Sequence, residues 1–388
     1  MRTEQCRSVC LRACATLLAC AACLAALHCS PRPAPTQPQA QDWYRKDKLF
    51  ASFDPDARDL SLLDAYLLEL ACYIGDKGTF EVDRTLAAWG FTQRRDFRDV
   101  RTSTYGYVAS NDRMVLVTFG GTDFMNARDL LSDVDALQLV YDDRYCATPD
   151  ARVHRGFRDS LNSVMDGVIA EVRTQAAPTR ATVRGTTRPT TRAATTRDSR
   201  GATPPSVGRK KLFIAGHSRG GAFAVLAAVA LGHAGLNDES LPDVAGVYTF
   251  GQPRVGNEGF FEAYAALGIP LYRFINRDDP IPGVPPAGLI PQGLGLGERL
   301  SERVGYQHGG VAVRLLADGR VARGGSNDPQ GPTLSDLGAT ASSINQHYQP
   351  GYHTAIYQAL TNPQLIGDPG WRAAVTPQQV AALPRPVQ

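Results

Sequence analysis

The sequence predicts an α/β fold with a mostly parallel sheet flanked by helices. Strand-like apolar runs recur through the body of the chain: VLVTF (115–119), LFIAG (212–216), VAGVYTF (244–250), LYRFIN (271–276) and GVAVRLL (310–316). Segments with helical spacing of apolar residues separate several of them, the alternation expected of a layered α/β protein. The run from Lys211 ends in Gly216-His217-Ser218-Arg219-Gly220 and passes into a helix rich in alanine and glycine. The 388 residues suffice for one large α/β domain or two ordinary ones.

Six of the eight cysteines (Cys6, Cys10, Cys14, Cys20, Cys23 and Cys29) fall in the first 29 residues, around an apolar run from Ala13 to Leu27. That run is short for a membrane span and reads as an export signal over 1–29. Leu17-Leu18-Ala19-Cys20 resembles a lipoprotein cleavage site, and Cys29 sits better for length, so a lipid anchor stays open. Residues 30–42 form a Pro-rich tether. The main domain is expected over 43–362, with a Pro-rich, loosely packed tail over 363–388. Cys72 and Cys146 remain in the body, to pair in an oxidising compartment or to stay a buried thiol and a loop thiol.

Asp59–Asp76 has helical spacing, with Asp59 as its cap. Ser103–Gly121 reads as a hairpin turning at Asn111-Asp112. Helical spacing returns at Asn126–Leu137 and at Phe157–Arg173. Residues 175–210 are a Thr/Arg/Ala/Pro segment that cannot bury enough apolar surface to order itself, so a disordered insertion is expected. Residues 173–211 carry ten cationic side chains and one acid, within a chain of net charge +3. The remainder is therefore at −6, which argues against a nucleic-acid-binding body. The insertion joins the start of the strand leading to Ser218, so it should leave from the sheet edge opposite the site.

Gly-x-Ser-x-Gly is a weak signal alone in a chain with 37 glycines. A buried strand before it and a small-residue helix after it make it a nucleophile elbow, a tight turn that projects the serine hydroxyl above the sheet. A serine at its ordinary pKa needs a base, and the base an orienting acid. In chain order Ser, acid, His, the histidines available are His233, His308, His347 and His353. Asp278 and Asp279 lie in a turn after LYRFIN. An oxyanion needs backbone donors: the N–H of Arg219, and one from the Gly120-Gly121-Thr122 turn.

Several motifs together resemble the class 3 lipases, the fungal-type triacylglycerol lipases and their relatives: VTFGGTD, ARDLLSDV, VHRGF, GHSRGGA, YTFGQPRVGN, RDDPIPGVPP and YQHGGVAVRL, in that order between about Ser61 and Leu360. The resemblance implies an α/β-hydrolase fold. It selects Asp279, which precedes Pro280-Ile281-Pro282, over Asp278. It selects His353, which leads a helix with Tyr357 four residues on, over His347, and it makes His308 structural. Thr122 and Arg219 become the oxyanion donors. Two positions depart from the family pattern: Gly120 stands where Arg is usual, and Arg219 where Leu or Met is usual. A charged side chain at 219 could alter substrate choice.

The resulting expectation is an exported serine hydrolase of carboxylic esters, most of all acylglycerol lipids met at a lipid–water interface. Ser218, His353 and Asp279 form its triad. No metal or organic cofactor is implied, and Phe124–Leu137 reads either as a lid or as an ordinary surface helix. A phospholipase or a small-ester esterase is the alternative within enzymes. A non-catalytic surface or binding protein on the same fold is the alternative outside them.

Overall fold

The computed structural model describes residues 43–121 apart from 58, 76 and 78, residues 137–177 apart from 143, residues 209–287 apart from 286, and residues 305–324, 345–373 and 376–386. The export segment, the tether, Thr122, nearly all of the helix expected at 126–137 and residues 178–208 of the insertion lie outside them.

Eight strands form one sheet in the order β1 (Gln93–Asp99), β2 (Thr104–Ser110), β3 (Met114–Phe119), β6 (Lys211–His217), β7 (Val244–Phe250), β8 (Leu271–Asn276), β9 (Val311–Leu315) and β10 (Val321–Gly324). The pairs from β3 to β9 are parallel, and both edges are antiparallel. A separate two-stranded ribbon joins β4 (Gln138–Val140) to β5 (Arg152–His154). The expected α/β-hydrolase architecture with a mostly parallel central sheet is thus the one observed. The polar strand β1, QRRDFRD, escapes periodicity reasoning because it is a half-exposed edge whose side chains need not alternate.

Helices cover both faces. On one side lie α1 (Leu62–Gly75), α2 (Thr79–Trp89) and, after the last strand, α7 (Gln349–Thr361), with Leu67, Ile74, Tyr107, Phe274 and Ile356 in their core. On the other lie α3 (Arg155–Asn162), α4 (Met165–Ala176), α5 (Arg219–Gly235) and α6 (Glu258–Ala266), over Val117, Ile214 and Val247. The Ala/Gly-rich face of α5 brings its axis close to β6 and β7, since small side chains hold the layers apart least. The single helix expected over Phe157–Arg173 is broken between Asn162 and Met165, where Val164 leaves helical geometry. Ser61, not Asp59, caps α1: its Oγ accepts the Asp64 N–H at 3.1 Å, while Asp59 accepts from its neighbour Leu60, outside the helix.

Cys72 belongs to the first layer and Cys146 to the second, so the sheet stands between them and no disulfide joins them. The C-terminal segment does not hang loosely. Ile366 and Trp371 are fully buried, Tyr66 donates its hydroxyl to the Pro384 carbonyl at 2.6 Å, and Lys46 Nζ donates to Leu383 at 2.7 Å. Its apolar residues are sparse, but Ile366, Trp371 and Leu383 join the core of the first layer, which composition does not reveal.

The ends of the insertion are anchored. Gln175 donates Nε2 to the Val108 carbonyl at 3.1 Å, and Lys210 donates Nζ to the Gln175 carbonyl at 2.7 Å. The chain therefore leaves and re-enters beside the start of β6, where Lys211 pairs with Met114. Ser218 follows the far end of that strand, roughly 20 Å away at about 3.3 Å per residue. Replacing residues 178–207 by a short Gly/Ser link should leave turnover of a soluble ester within about twofold, because lengthening or shortening a surface loop costs little. Loss of turnover in a folded deletion variant, measured against the intact chain, would show that the segment reaches the other edge.

Candidate active site

The strand ends converge by register. Phe119 of β3 lies beside Gly216 of β6, His217 beside Phe250 of β7, and Phe250 beside Phe274 of β8. The chain turns sharply after His217. Ser218 takes φ 57° and ψ −128°, a region that L-residues adopt only under strain and that recurs at functional sites. Glycines make that turn possible. A Cβ at Gly216 would lie 2.1 Å from the Gly220 carbonyl oxygen, and one at Gly220 would lie 2.3 Å from that of Phe119. The Ser218 N–H donates to the Phe250 carbonyl at 2.8 Å, which fixes the turn to β7.

The Ser218 hydroxyl lies 2.7 Å from Nε2 of His347. Nδ1 of the same ring lies 2.9 and 3.0 Å from the two oxygens of Asp279. All three residues are buried. Asp279 points inward from the turn after β8, whereas Asp278 is exposed. Asp279 also accepts the Ile281 N–H at 2.9 Å and the hydroxyl of Tyr352, so its carboxyl group meets three partners, one in its own turn and two at the start of α7. Burial, reinforced by Asp279, pushes the Tyr352 phenol well above its usual pKa, which keeps it a donor. Gly251, at φ 63°, brings the backbone against the pair: a Cβ there would lie 2.8 Å from the His347 ring and 2.9 Å from Asp279.

His353, the histidine expected from the sequence, is elsewhere. It lies one turn into α7, and its side chain turns away from the strand ends onto α1. There Nδ1 meets Glu69 Oε2 at 3.0 Å, between the rings of Trp43 and Tyr73. Burial raises the pKa of Glu69. His347 precedes the helix, where the chain can still reach Ser218. The tyrosine that matters is Tyr352, five residues after His347, rather than Tyr357, four after His353. The two overlapping His-to-Tyr spacings in HYQPGYHTAIY cannot be told apart by pattern. What separates them is where α7 starts.

His217, inside the elbow, was also unforeseen. Its Nε2 lies 2.7 Å from the His347 backbone carbonyl, and its ring centroid lies 4.9 Å from that of His347. Burial, with His347 nearby, pulls its pKa down to about 3. It therefore stays neutral and donates Nε2–H to that carbonyl, holding His347 in place without adding a charge.

The neighbouring loops are pinned by buried groups. Arg254 donates to the carbonyls of Gly283 and Pro285, the latter at 2.8 Å, and His308 Nε2 meets the Pro282 carbonyl at 2.8 Å. The loop after Asp279 is thus fixed by backbone contacts to side chains, consistent with the structural role expected of His308. Arg219 does not present its charge to the space above Ser218. Its guanidinium, whose pKa is lowered by burial, packs over the Phe223 ring and donates to the carbonyls of Thr102 and Ser103. Its backbone N–H is the first of α5, one of the amides that helix geometry leaves without an intrahelical acceptor.

A model of the class 3 lipase family matches residues 198–289, which include the elbow and Asp279. The lipase of Rhizomucor miehei is 28% identical over 179 residues, 46% of this chain and 39% of that protein. A phospholipase A1 of Oryza sativa subsp. indica, named EG1, is 33% identical over 193 residues, 46% of this chain and 40% of that protein. The chain thus spans about two fifths of the length of these relatives. The solved structure of the Rhizomucor miehei triacylglyceride lipase superposes with a TM-score of 0.50 at 20% identity, covering 73% of this chain and 91% of that one, a likeness of fold. With its ordered motifs and its sheet topology, the chain is similar to the class 3 lipases over the segment that holds the elbow and Asp279, and it has the α/β-hydrolase fold.

Proposed function

We propose that the protein hydrolyses carboxylic esters of acyl lipids, acylglycerols foremost, through a covalent acyl-enzyme. The observation that carries this reading is the buried chain of contacts from Ser218 Oγ through His347 to Asp279. In the reaction Ser218 Oγ attacks the ester carbonyl while its proton passes to His347 Nε2. Asp279 keeps Nδ1 protonated and stabilises the imidazolium that forms. The oxyanion takes the Arg219 N–H, at the positive end of α5. Thr122 is the second donor in this reading, through its backbone N–H and hydroxyl. His347 then returns the proton to the leaving alcohol, and water, deprotonated by the same nitrogen, releases the acid.

The relatives named as lipases support an acylglycerol substrate. Those named as phospholipase A1 give a second reading, a glycerophospholipid. A catalytically silent binding protein would have no need of the three-residue contact at hydrogen-bond distances. The buried position of Ser218 fits a substrate admitted by movement of covering segments at a lipid–water interface, and the apolar run 13–27 supports export.

Acylglycerol emulsions, phosphatidylcholine vesicles and p-nitrophenyl esters, assayed side by side on the purified protein, decide the substrate class. Preference for the emulsion is expected, and hydrolysis of none of the three would end the proposal. Ser218→Ala and His347→Ala should each lower kcat by more than about 10⁴-fold, and Asp279→Asn by about 10⁴-fold through the wrong imidazole tautomer.

His353→Ala should behave differently. It leaves Glu69 buried without its partner, so stability should fall by about 3 kcal/mol, while the kcat of the folded fraction stays within a few-fold. Denaturant melts paired with active-site titration measure both. A chemical defect in His353→Ala with His347→Ala intact would reverse the assignment.

A further inference from the structure

The loop that carries His347 meets the ends of three neighbouring strands, and two of them hold it by successive carbonyls. His217, at the end of β6, donates to the carbonyl of His347 at 2.7 Å. Asn276, at the end of β8, donates Nδ2–H to the carbonyl of Gln346 at 2.9 Å. Between these strands Gly251, the first residue after β7, lies against the His347 ring. The base is therefore gripped through its backbone from both sides of β7.

Asn276 does more than close that grip. Its own carbonyl accepts the Asp279 N–H at 3.0 Å, and its N–H donates to the Tyr352 hydroxyl at 3.2 Å, the same hydroxyl that donates to the Asp279 carboxylate. One residue thus touches the turn of the acid, the donor to the acid and the loop of the base, and it is 1% exposed. Its Oδ1 is buried with no donor among the described residues, so the amide fills that space poorly, and what it supplies there is the Nδ2–H. The chain then leaves through Arg277 at φ 48°, in the left-handed region that side chains enter at a cost. Gly351, in the first turn of α7, leaves room for the amide. A Cβ there would lie 2.8 Å from Asn276 Nδ2 and 3.5 Å from the Gln346 carbonyl oxygen.

We propose that Asn276 is a positioning residue for the base: its side chain fixes the Gln346 carbonyl, and so holds His347 where it meets both Ser218 and Asp279. The proposal rests on the ester-hydrolase reading above. The backbone bonds of residue 276 to Tyr352 and Asp279 survive a change of side chain, so a substitution there releases the His347 loop and leaves the acid in its turn. A displaced base slows proton transfer without changing how the ester is held, and a misplacement of about 1 Å costs about 10²-fold. The loss should therefore appear in kcat and spare KM.

The test uses the full-length chain and a soluble p-nitrophenyl ester, with Asn276→Leu, Gly351→Ala and Ser218→Ala beside the wild type. Concentrations are corrected by the fraction of sites a fluorophosphonate titrates at completion. Asn276→Leu keeps a similar shape and removes the donor, so kcat should fall about 10- to 100-fold with KM within about threefold. Gly351→Ala leaves Asn276 in place and wedges the same bond apart, at a helical position where alanine is the better residue. It should lower kcat in the same way with its denaturation midpoint held. The double variant should lose less than the product of the two, since both break one bond. A proton spectrum separates positioning from general loosening. The Nδ1–H of His347, shared with Asp279, and that of His353, shared with Glu69, should each resonate far downfield, the first being identified by its absence in His347→Ala. In Asn276→Leu the first should shift or broaden while the second stays.

Wild-type kcat per titrated site in Asn276→Leu would overturn the inference and leave the ester-hydrolase reading standing. Equal disturbance of both downfield protons would overturn it too, since the defect would then be a general loosening. If Asn276→Leu does not fold, Gly351→Ala decides in its place: lowered kcat with KM held supports the inference, and unchanged kcat overturns it. Equal hydrolysis by wild type and Ser218→Ala would instead remove the reading itself, and this inference with it.

Discussion

The turn between β6 and α5 leaves no room for a Cβ on either side of Ser218, and the site is organised around that contact. Gly216 faces the Gly220 carbonyl, and Gly220 faces that of Phe119, so the elbow is pressed against the end of β3. This closeness forces Ser218 into its strained conformation and lifts its hydroxyl from the end of the sheet. It also brings the N-terminus of α5 beside Gly120-Gly121. An alanine at either glycine would open the turn and separate the Ser218 hydroxyl from the backbone that faces it. Parallel pairing from β3 to β9 does the rest, since it delivers the ends of β3, β6, β7 and β8 to one side of the sheet.

Around this turn the protein places neutral donors and leaves the charge on one carboxylate. His217 is held neutral by burial, and Tyr352 keeps its proton because burial, and then Asp279 beside it, disfavour the phenolate. Both donate to groups that position His347: one to its backbone carbonyl, the other to its carboxylate partner. In a buried site such an arrangement orients an imidazole without a second charge to compete for Asp279. The second buried histidine, His353, is served by its own carboxylate, Glu69, in the α1–α7 layer. Two His–acid pairs lie in the same region of the chain, and only one meets a serine.

The legible part of the sequence was the part written in short-range sterics and strand periodicity. The elbow, the hairpin and the central parallel strands follow from spacing within a dozen residues, whereas the turn after β8 offers Asp278 and Asp279 alike and only the resemblance selects Asp279. The position of His347 does not, because it depends on where α7 begins and on which side the helix turns to α1. The chain offers histidines at 347 and 353, each followed by a tyrosine at nearly the same interval. Likewise the Pro-rich C-terminal segment hides its packing, because Ile366 and Trp371 are too few to form a periodic pattern yet are fully buried. Arg219 reads in sequence as a charge beside the reacting centre. Only the location of the Thr102 and Ser103 carbonyls shows that its side chain is committed elsewhere.

The central claim is that Ser218 is made nucleophilic by His347 within the buried contact chain. Its most direct measurement is the site and rate of covalent labelling by a fluorophosphonate, read by peptide mass spectrometry on the wild type, His347→Ala and His353→Ala. The account predicts a single phosphonylated peptide carrying the adduct on Ser218, formed at nearly the wild-type rate in folded His353→Ala and at least about 10³-fold more slowly in His347→Ala. An adduct on another residue, or labelling of Ser218 that persists without His347 and vanishes without His353, would contradict it.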